Sequence, residues 1–119
     1  MRLTLDWDRI SKKEFERRLE IIKREFPLND IEVMKSPSGK GYHIIVYNAC
    51  SSFEELVKLR KKFWDDEKRL GFDIFKRRLC ELAPIQILFD LKFNRRSKLI
   101  YKRTLKDKLR CYLNYMMRH

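Results

Sequence analysis

The chain has 119 residues, 44% hydrophobic and 39% charged, with only three glycines and three prolines; this is the composition of a folded, element-rich protein and does not suggest a disordered tail, and the length leaves room for one ordinary core, so residues 1–119 read as a single domain. Its formal charge of +12 is segregated: residues 1–50 hold ten basic and eight acidic side chains, residues 51–90 nine and eight, and residues 91–119 ten and one, a basic end suited to the phosphates of DNA or RNA. Cys50, Cys80 and Cys111 are odd in number and form no C-x-x-C pair, which argues against a disulfide framework or a zinc site, and no apolar run has the length of a signal or a membrane span, so a cytoplasmic protein with no membrane partner is expected.

Leu3, Leu5 and Trp7 alternate with Thr4, Asp6 and Asp8, the period of a first strand with both carboxylates on one face. Ser11 to Glu14 has the form of a capping box, and Phe15, Leu19, Ile22 and Phe26 then recur at helical spacing until Pro27, which predicts a helix over residues 12–26. Residues 31–35 and 42–47 read as a hairpin around the turn Ser36-Pro37-Ser38-Gly39-Lys40-Gly41, with His43, Ile45 and Tyr47 sharing a face. A second helix capped by Ser51 or Ser52 is expected to end near Leu70-Gly71, and Phe72 to Phe75 to form a fourth strand. A helical turn around residues 77–82, a strand from Ile85 to about Leu91 and a terminal basic helix with Leu105, Leu109, Tyr112 and Met116 on one side complete the reading. The fold class predicted is α+β, a ferredoxin-like or RNA-recognition-motif βαββαβ sheet with an extra C-terminal strand and basic helix; residues 1–92 form the core and 93–119 the extension. In that topology the first strand is central, and Asp6, Asp8, His43 and Asp73 converge on an open sheet face.

Two carboxylates two positions apart on one strand repel each other unless a cation neutralises them, and Mg²⁺ or Mn²⁺ is the natural partner. The glycine-bearing turn offers backbone N–H groups, hydroxyls and Lys40 to a phosphate, with His43 just beyond it. Together these elements resemble the archaeo-eukaryotic primase superfamily and its primase-polymerase branch. That family carries D-x-D on a strand, here Leu5-Asp6-Trp7-Asp8, and later an S-x-H motif often preceded by Pro-Ser-Gly, here Ser36 to His43. The resemblance covers about residues 3–92. It implies a metal-dependent nucleotidyltransferase of nucleic-acid replication: Asp6 and Asp8 bind the catalytic metals, and His43 with Ser38 and Lys40 meets the triphosphate of an incoming nucleotide. A third carboxylate of the family pattern is best matched by Asp73, with Asp90 as its rival.

Two further readings use the same topology. A replication-initiator nuclease of the HUH class would take Tyr112 or Tyr115 as nucleophile, although the paired histidines of that class are absent. A non-catalytic single-strand binder would stack bases on Tyr47 and Phe75. In every case Lys92, Arg95, Arg96, Lys98, Lys102 and Arg103 are expected to track nucleic-acid backbone, and the apolar side of the last helix suits a homodimer or a replication partner.

Overall fold

The computed structural model describes residues 1–37, 39–88, 91–92, 95–96, 98–104 and 115–117. In chain order they form β1 (Leu3–Asp8), α1 (Lys12–Glu25), β2 (Ile31–Lys35), β3 (Gly41–Val46), α2 (Phe53–Lys62), α3 (Glu67–Leu79), β4 (Leu91–Lys92), β5 (Arg95–Arg96) and β6 (Lys98–Arg103). The main sheet is antiparallel and runs β1-β3-β2-β6, while β4 and β5 pair with each other. The protein is thus a small α+β fold built on a four-stranded antiparallel sheet.

Alternation sets the faces as the sequence predicts. Leu3, Leu5 and Trp7 of β1 join Ile31 and Val33 of β2 and Ile44 and Val46 of β3 against Phe15, Leu19, Ile22 and Phe26 of the first helix segment and Leu56 and Phe63 of the second, forming the hydrophobic core. Ser11 caps α1 by accepting from the Glu14 amide at 3.1 Å. At the other end the Arg103 guanidinium donates to the carbonyls of Lys23 (3.5 Å), Asn29 (3.0 Å) and Phe26, so the orphan carbonyls of α1 are satisfied by a residue of β6.

Five expectations are corrected. The helix expected to continue to Leu70 breaks after Lys62, because Asp65 N bonds Arg60 O at 3.0 Å and Trp64 takes φ 61°, a Schellman closure with tryptophan where glycine is usual. Asp66 then starts α3 by accepting from the amides of Lys68 and Arg69 at 2.9 and 3.0 Å. Phe72 to Phe75, expected as a strand, lie inside α3, with Gly71 also within the helix. Residues 85–88 carry no regular structure, and residues 98–103, expected to lie in a helical extension, form β6 beside β2. Of the terminal helix, residues 115–117 are helical and Leu105, Leu109 and Tyr112 lie outside the described residues.

The fifth decides where the site stands. β1 is an edge strand, not a central one: among the described residues no strand pairs with its outer side. Side chains take that place. Gln86 Oε1 accepts from Thr4 N at 2.7 Å, Asp65 Oδ1 accepts from Asp6 N at 2.9 Å, Arg69 Nη1 donates to Thr4 O at 3.2 Å, and Gln86 Nε2 donates to Arg2 O at 2.7 Å. Thr4 N, Thr4 O, Asp6 N and Arg2 O, which a further strand would have met, are thereby bonded to side chains of the α2–α3 junction, of α3 and of the segment after it.

Candidate functional site

Asp6, Asp8 and His43 are positioned by the β1–β3 register, which places Asp6 opposite His43 and Asp8 opposite Gly41. His43 Nε2 is 3.7 Å from Asp6 Oδ1, with the imidazole buried and the carboxylate partly open to solvent. Gly41 is required here: a Cβ would stand 2.7 Å from Trp7 O and 3.1 Å from Asp8 Cα. On the sheet face that carries these groups Thr4, His43 and Ile45 are buried, while Asp6 is half-buried and Asp8 is exposed.

An open cleft of about 560 Å³ lies at that end of β1. Asp6, Asp8, Asp66 and Glu67 line it with the cations Arg9, Arg18 and Lys68, and Trp64 forms part of its wall. Burial raises the Asp6 carboxyl from 3.8 to about 6; Arg69 opposes the shift, and the charges of Asp66, Asp65 and Asp8 add to it. The acids that crowd Asp6 thus come largely from the run Asp65-Asp66-Glu67 at the start of α3. That run is plain in the sequence, but nothing local says that it meets β1, because the contact spans some sixty residues.

Asp73 does not join them. It lies on α3, not on a strand, and its buried carboxylate accepts from Arg60 Nη1 at 2.7 Å and Gln86 N at 2.9 Å, with Lys76 Nζ at 3.4 Å. Burial pushes this carboxyl up, but the Gln86 amide, Arg60 and Lys76 outweigh it and hold Asp73 below its ordinary value. Asp73 therefore reads as one member of a buried network in which Arg60 bridges Asp65 and Asp73, and Arg69 binds Asp65 in turn.

The turn before β3 closes on itself. Gly39, at φ 75°, donates its amide to Ser36 O at 2.9 Å, and Gly41 donates to Ser36 Oγ at 3.1 Å, so these two N–H groups serve the turn and not an anion. Arg9 N bonds Lys40 O at 2.9 Å, tying the turn to the end of β1 beside the cleft, with the Lys40 side chain exposed. Ser38 and Asp90 lie outside the described residues.

The basic residues divide. Lys98 and Lys102 are exposed on β6, whereas Arg103 turns inward to α1. Lys92 belongs to β4 and Arg95 and Arg96 to β5. Tyr115 is exposed in the helical turn 115–117; Tyr47 is half-buried just past β3, and Phe75 lies exposed on α3 and not on the sheet.

Among the described residues no three His, Cys, Asp or Glu side chains already form a metal-holding group. The donor chemistry nevertheless fits a hard divalent cation, since Mg²⁺ and Mn²⁺ are commonly held by one or two carboxylates and take their other ligands from water and substrate phosphate. Among the described residues no helix is long and apolar enough to cross a membrane. Comparison with family models, with curated proteins and with solved structures returns no match.

Proposed function

We propose that the protein is a metal-dependent nucleotidyltransferase of nucleic-acid replication, primase- or polymerase-like in its reaction. The observation that carries this reading is the register that sets Asp6 opposite His43 and Asp8 opposite Gly41. It brings the two motifs of the sequence side by side, with Asp6 and Asp8 lining the cleft and His43 buried against Asp6. Asp6 and Asp8 would hold Mg²⁺ or Mn²⁺, which when bound supplies positive charge to phosphoryl oxygens. Asp66 and Glu67 deepen the negative field, while Arg9 and Lys68 line the cleft as cations for a triphosphate and the exposed Lys40 lies on the adjoining turn. Asp65 holds the backbone of Asp6 in place, and Trp64 closes one side of the cleft.

Template-directed incorporation of labelled ribo- or deoxyribonucleotides with Mg²⁺ or Mn²⁺ should fall at least ~100-fold in the Asp6→Ala, Asp8→Ala double variant, the scale expected when charge stabilisation at the reacting phosphate is removed. A second readout does not need activity. Tb³⁺ bound at the carboxylates should emit under tryptophan excitation, because Trp64 lines the same cleft, and the double variant should be dark. No incorporation on several templates, together with Tb³⁺ emission unchanged by the substitutions, would end this reading.

A further inference from the structure

The third helix is turned inside out. Its buried residues are Leu70 and Asp73, and its inward side engages Arg60 and Gln86 through polar contacts of Asp73. Its outward side carries Phe72, Phe75 and Leu79, exposed by 61%, 57% and 73%. These three recur at i, i+3 and i+7 and form one stripe, with the exposed Lys68 a turn earlier on the same line. The Lys76 ammonium lies 5.0 Å from the centre of the Phe72 ring, and Arg78 flanks the stripe in solvent.

Gly71 adds an independent sign. Glycine inside a helix is less stable than alanine, and here a Cβ would meet nothing within 4 Å, so the fold itself gains nothing from its absence. A surface left bare beside two exposed rings is shaped for close approach by something else. Next to it a hollow of about 400 Å³ is lined by Lys61, Trp64, Gly71 and Ile74, and Trp64 and Glu67 border both this hollow and the acidic cleft. The outer face of α3 therefore continues into the mouth that holds Asp6 and Asp8.

We propose that this face is a track for a single-stranded polynucleotide, whose bases stack on Phe72 and Phe75 and whose phosphates meet Lys61, Lys68 and Arg78. Its direction, leading into the cleft, rests on the nucleotidyltransferase reading; the binding itself does not. Charge selects this occupant over a second copy: the exposed residues about the face include Lys61, Lys68 and Arg78 against Glu67, so two copies would meet with like charges, whereas a polyanion releases counterions on binding. Phe72 and Phe75 are separated by about 4.5 Å along the helix axis, so both lie within reach of one short stretch of strand.

Fluorescence anisotropy with labelled oligo(dT) and oligo(rU) tests the track. Phe72→Ala with Phe75→Ala should weaken the tighter of the two at least ~10-fold without changing the slope of log K against log salt, since base stacking is not a counterion effect. Lys68→Ala with Arg78→Ala should flatten that slope. An abasic oligonucleotide should remove the difference between the parent and the phenylalanine variant. Gly71→Ala should raise the melting temperature while weakening binding. Oligonucleotide affinity unchanged in the phenylalanine variant overturns the proposal; if sedimentation then shows a dimer of the parent that this variant loses, the face belongs to a second copy. Measuring incorporation by the parent beside binding by the phenylalanine variant separates the two readings: phenylalanine-dependent binding without any incorporation by the parent sinks the enzyme and keeps the track, and incorporation with phenylalanine-independent binding does the reverse.

Discussion

At Asp6 the fold holds an acid where ionisation is disfavoured. Its carboxyl, lifted by burial to about 6 from 3.8, keeps its proton in the folded chain after the unfolded chain has lost it. Stability from this group is therefore highest below about pH 3.8, falls as pH rises through the interval to about 6, and stays lowered above it. Asp6→Asn preserves shape and the backbone bond to Asp65 while removing the charge. It should stabilise the protein at pH 8 by on the order of 1–2 kcal/mol, after allowance for solvent access, and by almost nothing at pH 3.5. Urea titrations at the two values check this, and an equal effect at both would show that charge is not the cause. The neighbouring Gly41→Ala change acts through space instead: with Trp7 O only 2.7 Å from the added carbon, it should lower stability by about 1–3 kcal/mol and push Asp8 away from β3.

Among the elements, β1 shows how a sheet edge is closed without a strand. The Gln86 amide serves Thr4 N and Arg2 O at once, so Gln86→Ala should cost about 1–3 kcal/mol through buried groups left unpaired. Asp73→Asn should cost about 3 kcal/mol or more, because fully buried Arg60 would keep only Asp65 as its counter-charge. Chemical denaturation measures both. The elements legible in the sequence are those with local signals: the alternation of β1, the Ser11 cap and apolar spacing of α1, and the glycine turn of the hairpin. Those that were not depend on distant contacts or unusual backbone. The α2–α3 break hangs on Trp64 in a left-handed conformation, which no turn residue announces. Phe72-Asp73-Ile74-Phe75 alternates like a strand because α3 buries its acid and exposes its rings, the reverse of the pattern from which helices are read. Likewise Asp6 and Asp8 were visible as a pair, but Asp65, Asp66 and Glu67 become their neighbours only through tertiary packing.

For the molecule as a whole, a charge of +12 is not a uniform coat. Arg103 belongs to the fold, since its guanidinium satisfies carbonyls at the end of α1, whereas Lys98 and Lys102 project from β6. Arg103→Ala should accordingly lower the melting temperature and leave the salt slope of oligonucleotide binding nearly intact. Lys98→Ala with Lys102→Ala should do the opposite, reducing the slope by about 1–1.5 if both touch phosphate. Thermal melts and salt titrations of the same variants separate the two roles, and matching behaviour in both would dissolve the distinction.

The side-chain seal on β1 has a kinetic signature. In an antiparallel ladder alternate amides face opposite ways, and Thr4 and Asp6 turn theirs outward to Gln86 and Asp65 while their neighbours face β3. Hydrogen exchange at these two amides thus reports whether α3 and the segment after it are docked, independently of whether the sheet is intact. A ligand that grips α3 should slow exchange at Thr4 and Asp6 together, and loosening of that helix should expose them before the rest of β1 opens.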